Sequence, residues 1–176
     1  MSQRLPEQIE PIRLAEQGRM FKGQLPIAGM KRLVSLLAGD AGLVNVDLKF
    51  GIDESGQANV VGHIQARVNV NCQRCMETME LSISTEVSLG IVTTEQQAQD
   101  LPSQYEPLMV EDEWTSLSDL VEDEMILALP AVSMHAPEQC AAGQIAVDRQ
   151  DNNSDEAGGT ERENPFAILE QLRKKK

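Results

Sequence analysis

A chain of 176 residues with 41% hydrophobic content can bury the core of one domain with appendages, but an aromatic share of 3% makes that core aliphatic and methionine-rich. One Trp, one Tyr and three Phe exclude the stacked aromatic platform on which RNA-binding sheets hold single-stranded bases. A net charge of −13 excludes a uniformly basic nucleic-acid surface.

No apolar run approaches the ~18 residues of a membrane span, and Met1-Ser2-Gln3-Arg4-Leu5-Pro6 lacks an apolar signal core, so the expected location is the cytoplasm. Three cysteines, an odd number, argue against a disulfide framework. The charge is unevenly spread. Residues 1–75 carry nine Lys/Arg against seven Asp/Glu, residues 76–163 two against twenty, and residues 164–176 four against one. Contact with RNA is therefore expected at the ends, and contact with basic partners such as ribosomal proteins in the acidic middle.

In chain order, Pro6, Pro11 and Pro26 mark residues 1–26 as an extended arm, with an edge strand near Arg19–Gln24. Ile27, Met30, Leu33, Val34 and Leu37 recur at helical spacing, predicting a helix over 27–38 that ends at Gly39, with Lys31 and Arg32 facing solvent. From Val44 to Ile52 apolar and polar residues alternate, which is strand periodicity. Asp53-Glu54-Ser55-Gly56 reads as a hairpin loop, followed by a strand over 57–71 in which Gly62 marks a bulge. A third strand covers 78–92. After a polar helical turn at 94–100 comes a fourth strand at 105–110, placed at an edge by Pro107. Ser116 is a good N-cap, with Asp119 at N3, for a helix ended by Pro130. The expected fold is α+β: an antiparallel meander of three to five strands packed with two main helices. Residues 1–140 form the domain, 141–163 a disordered acidic linker, and 164–176 a short amphipathic helix with Asn164 as N-cap and Pro165 at N1.

Cys72-Gln73-Arg74-Cys75 joins the second and third strands. It admits three readings: a redox dithiol, half of a metal site, or a plain turn. Strands on both sides leave no helix dipole to depress a thiol pKa, which weighs against redox chemistry. His135 and Cys140, spaced H-x4-C, supply the types needed to complete a Cys3His set, and a zinc held by Cys72, Cys75, His135 and Cys140 would be structural because no ligand position is left for water. On the acidic helix, Leu117, Leu120, Val121, Met125 and Ala128 share one face at 100° per residue, with Glu124 in its middle. A carboxylate there requires a partner. Arg74, with Arg67 as second choice, is expected to clamp Glu124 and tie the helix to the sheet. There is no phosphate-binding glycine loop and no catalytic constellation, so neither an enzyme nor a small-molecule substrate is expected.

Four stretches occur in order: Cys72–Cys75; Leu101-Pro102-Ser103-Gln104-Tyr105-Glu106-Pro107; Leu120-Val121-Glu122-Asp123-Glu124-Met125-Ile126-Leu127-Ala128-Leu129-Pro130; and Asn164-Pro165-Phe166-Ala167-Ile168-Leu169. Together they resemble the YceD family of bacterial proteins in its gammaproteobacterial form, over nearly the whole chain. The resemblance implies a non-enzymatic role in the synthesis, processing or stability of large-subunit (23S) ribosomal RNA, with rRNA or its precursors, or ribosomal proteins, as partners. The terminal helix, with apolar Phe166, Leu169 and Leu172 and basic Arg173, Lys174, Lys175 and Lys176, would then be the surface that meets partner or RNA. A general acidic adaptor for basic partners and a CxxC redox protein stand as alternatives.

Overall fold

The computed structural model describes residues 5–142. The expected C-terminal helix, with its partner-facing residues Phe166, Leu169, Leu172 and Arg173 to Lys176, lies outside them, as does nearly all of the expected linker. Among the described residues the order is β1 (Gln8–Ile9), α1 (Pro11–Glu16), β2 (Met20–Pro26), a 3-10 turn (Ile27–Gly29), α2 (Lys31–Val34), β3 (Leu43–Ile52), β4 (Ala58–Asn71), β5 (Thr78–Val92), α3 (Glu95–Gln99), β6 (Glu106–Met109), β7 (Thr115–Ser116), α4 (Leu117–Ala128) and a 3-10 turn (Pro137–Gln139). Five strands form one sheet in the order β2-β3-β4-β5-β6. All neighbours are antiparallel except β5 and β6, which run parallel. The fold is the expected α+β class, with β2 and β6 at the edges. No described helix is long and apolar enough to cross a membrane.

Alternation along β3 and β4 gives the sheet a covered and an open face. Val44, Val46, Leu48 and Phe50 of β3 and Val60, Ile64, Val68 and Val70 of β4 are buried beneath the helices. The open face is polar. Lys22 pairs with Asp47 at 2.6 Å, Gln24 donates to Asn45 at 2.8 Å, and His63 lies 3.8 Å from Glu86.

Three expectations change. The N-terminal arm is not simply extended. Pro11 occupies the first turn of α1, where its missing N–H has no helical partner to lose, and Ile9 and Ala15 are buried. β1 pairs with β7, and the Leu117 amide donates to the Glu7 carbonyl, so the N-terminal segment meets the start of α4. The helix expected over 27–38 is broken into the 3-10 turn and the four-residue α2, because residues three apart (Ile27, Met30 and Leu33, all fully buried) align on either helical form.

Gly62 marks no bulge, since the β3–β4 register runs unbroken from Val44↔Ala66 to Ile52↔Ala58. The glycine permits a close approach instead. A Cβ at Gly62 would collide with the Asp47 carbonyl oxygen and lie 2.9 Å from Leu48 Cα, both main-chain atoms. Gly62→Ala is therefore expected to destabilise by about 2–3 kcal/mol, seen in urea as a lower midpoint at unchanged slope. A midpoint equal to that of the unsubstituted chain would refute this close packing.

Candidate metal centre and helix clamp

The Cys72–Cys75 turn closes the β4–β5 hairpin. After the last pair, Asn71↔Thr78, the Cys72 amide donates to the Glu77 carbonyl at 2.8 Å and the Met76 amide to the Cys72 carbonyl at 2.8 Å. Met76 takes φ 63°, a left-handed conformation unfavourable for a side-chain-bearing residue, and its side chain is exposed. The turn is thus wound tightly enough to bring both cysteines to one side.

The segment after α4 is stapled to this turn by its main chain. The Gln73 amide donates to the Ser133 carbonyl at 2.8 Å, the Arg74 guanidinium to the His135 carbonyl at 3.1 Å, and the His135 amide to Cys72 Sγ at 3.4 Å. His135 Nδ1 comes within 3.3 Å of Cys75 Sγ. One ligand-type atom from each of Cys72, Cys75, His135 and Cys140 lies within 4.8 Å of the others, a cluster that can bind a metal ion. A tetrahedral zinc with Zn–S near ~2.3 Å and Zn–N near ~2.0 Å spaces its ligand atoms about 3.5–3.8 Å apart. The observed spread needs a contraction of only about 1 Å to reach that geometry. Three soft sulfurs and one imidazole are the donor set that zinc prefers.

Burial opposes ionisation of Cys72, but amide N–H groups of Cys75, His135 and Arg74 directed at its sulfur outweigh it and bring the thiol pKa down to about 5. The strand–turn–strand setting offers no helix dipole, and turn amides supply what one would. Cys72 is nevertheless fully buried, whereas reactive thiols are partly exposed.

The carboxylate that ties α4 to the rest of the domain is Glu122. Its side chain is 6% exposed. Oε1 accepts from the Arg32 amide at 2.7 Å and the Leu33 amide at 3.0 Å, while Oε2 lies 3.1 Å from Arg32 Nε and 3.0 Å from an Arg32 terminal nitrogen. Arg32 also reaches Asp123 at 2.6 Å. Since α2 has no side-chain cap of its own, Glu122 serves as its N-cap from 90 residues away. Burial acts to raise the Glu122 pKa, but the Leu33 amide and the Arg32 side chain and amide hold it below the ordinary carboxylate value.

An Arg74–Glu124 ion pair is not among those of the described residues. Glu124 is half-buried, its pKa raised first by burial and then by Glu106 and Asp123. Arg67 is exposed on the open face. The helical wheel placed Glu124 centrally because it assumes one covering surface. α2 adds a second, on the flank where Glu122 lies. The signal for Glu122 was the missing N-cap on the 27–38 segment.

The comparisons with known proteins bear on the same region. The profile of the family described as large ribosomal RNA subunit accumulation protein YceD matches residues 60–173. The chain belongs to the YceD family. A Haemophilus influenzae protein named large ribosomal RNA subunit accumulation protein YceD is 31% identical over 173 residues, 98% of each chain. No solved structure matches. The family match takes in all four metal-type ligands and α4, so the cluster and the Glu122 end of the clamp both lie in its region.

Proposed function

We propose that this protein is a cytoplasmic, non-enzymatic ribosome-biogenesis factor that supports the synthesis, processing or stability of large-subunit 23S ribosomal RNA. The observation that carries the reading is near full-length similarity to a relative named for accumulation of that RNA. The charge distribution supports a binding role. A strongly acidic stretch over 76–163 suits basic ribosomal proteins, and the basic end at 173–176 suits RNA. Deleting the gene should lower large-subunit particles relative to small ones in sucrose gradients, most clearly in the cold. Unchanged profiles at both low and normal temperature would overturn the reading.

The fold of this factor is completed by a structural zinc on Cys72, Cys75, His135 and Cys140. When bound, the ion supplies a cross-link between the β4–β5 hairpin and the segment after α4. The chain's own residues prepare the site: amides of residues 74, 75 and 135 stabilise the Cys72 thiolate, and Arg74 fixes the His135 main chain. Full burial of Cys72 favours this over a dithiol that exchanges with substrates.

A further inference from the structure

β5 is 15 residues long, yet β6 pairs only with its last four, Leu89 to Val92. Among the described residues, Thr78 to Ser88 has no strand on that side. The direction of its peptide groups follows from two hydrogen bonds. Cys72 N–H to Glu77 O makes the odd-numbered residues of β5 bond to β4, and Val110 N–H to Val92 O shows the even-numbered ones facing the β6 side. The peptide groups of Glu80, Ser82, Ser84 and Glu86 therefore face outward. Nothing in this edge blocks pairing: it has no proline, no lysine and no bulge.

Beside the edge runs a groove of about 420 Å³ between the sheet and α4. Leu89 and Leu127 form its apolar wall, and Leu127 is 72% exposed. Glu106 and Glu124 supply carboxylates to it, Glu86 borders it from the open face, and among the described residues no Lys, Arg or His lines it. Among the described residues, the ion-pair partner of Glu86 is His63, 3.8 Å away on the open face. The Glu124 pKa is raised by burial and by the negative charge of Glu106 and Asp123, with no cation among the described residues offsetting them.

We propose that the free edge of β5 and this groove dock an extended lysine- or arginine-rich segment of a partner protein as an added strand. Charge selects the occupant. RNA would bring phosphates against three carboxylates, and a second copy of this chain would bring its own Glu80 and Glu86. A basic strand satisfies the outward peptide groups. On one face its cations reach Glu106 and Glu124 while their aliphatic stems cover Leu127, and on the other they reach Glu80 and Glu86. The surface goes beyond the large-subunit reading, because peptide binding in vitro stands or falls independently of ribosome profiles in cells.

The test uses the full chain and fluorescence anisotropy of a labelled peptide alternating lysine and threonine. The controls are its glutamate–threonine counterpart and a labelled oligouridylate. Saturable binding of the lysine peptide alone is expected. Ser84→Pro removes an outward amide and should weaken it by about tenfold or more. Glu86→Lys, at a position too exposed to affect folding, should weaken it comparably. Lysine-peptide binding that is absent or unchanged in both variants would overturn the proposal. So would tighter binding of oligouridylate, or self-association in sedimentation that Ser84→Pro abolishes.

Discussion

Glu122→Ala is expected to lower the unfolding free energy by about 3–5 kcal/mol, mostly from two stranded amide donors at about 1–3 kcal/mol each, since the Arg32 side chain is itself 54% exposed. It strands the Arg32 and Leu33 amides and leaves the Arg32 guanidinium with Asp123 alone. For a domain of this size the midpoint should fall by roughly 8–15 °C. Glu122→Gln keeps an acceptor but loses the charge, so it should fall between, at about 2–3 kcal/mol. The pH dependence separates this clamp from simple packing. The folded pKa of Glu122 lies below its ordinary value of 4.5. Its contribution is therefore full above that value and is lost as pH falls through the folded pKa. Glu124, two residues along, has the opposite sign. Its folded pKa lies above 4.5, so the ionised form is disfavoured and stability declines as pH rises through the folded pKa. Glu124→Gln should then raise the midpoint slightly at neutral pH, by less than ~1 kcal/mol after solvent screening. Thermal melts of both variants between acid and neutral pH decide the matter. Equal behaviour of the two would remove Glu122 from its place as the clamp.

The parts legible in the sequence were those governed by local periodicity. β3, β4 and β5 alternate so regularly that their facing and order follow from residue spacing, and Thr78–Val92 was readable to both ends. Ser116 declared itself as an N-cap and accepts from the Asp119 amide. What local pattern could not supply was partnership at a distance. β6 was readable as an edge strand from Pro107, but its parallel direction is set by the crossover through α3. Pro11 looked like an extended residue because the burial of Ile9 and Ala15 beside it depends on the sheet below. Glu122 is not legible as the clamp from helical spacing, because α2, which covers it, begins 91 residues earlier. The four metal-type ligands are the exception. Residue identity and spacing named them, since C-x2-C and H-x4-C are short-range patterns, and the turn geometry then brings them together.

Those ligands carry the other large effect. Protein purified without chelators should contain about one equivalent of zinc per chain, and a strong chelator should lower its thermal midpoint by about 10 °C. The size follows from mass action: at free zinc ~1,000-fold above Kd, binding contributes about 4 kcal/mol of folding stability. Cys72→Ser and Cys75→Ser should each reduce zinc to a small fraction of an equivalent. His135→Cys should retain it, because a fourth thiolate is also a zinc ligand. Cobalt substitution gives an independent readout. Intense visible bands report tetrahedral geometry, and the thiolate-to-metal absorption should grow by about a third on going from three sulfurs to four in His135→Cys. The His135 rescue distinguishes a ligand from a residue that merely packs, and Arg74→Ala sharpens this further. That variant should bind zinc more weakly while keeping stoichiometry at saturating metal, because Arg74 holds the His135 carbonyl rather than the ion. Zinc below a tenth of an equivalent, together with a midpoint indifferent to chelator, would leave Cys72–Cys75 as a hairpin turn whose buried thiol is held by neighbouring amides and the Cys75 thiol.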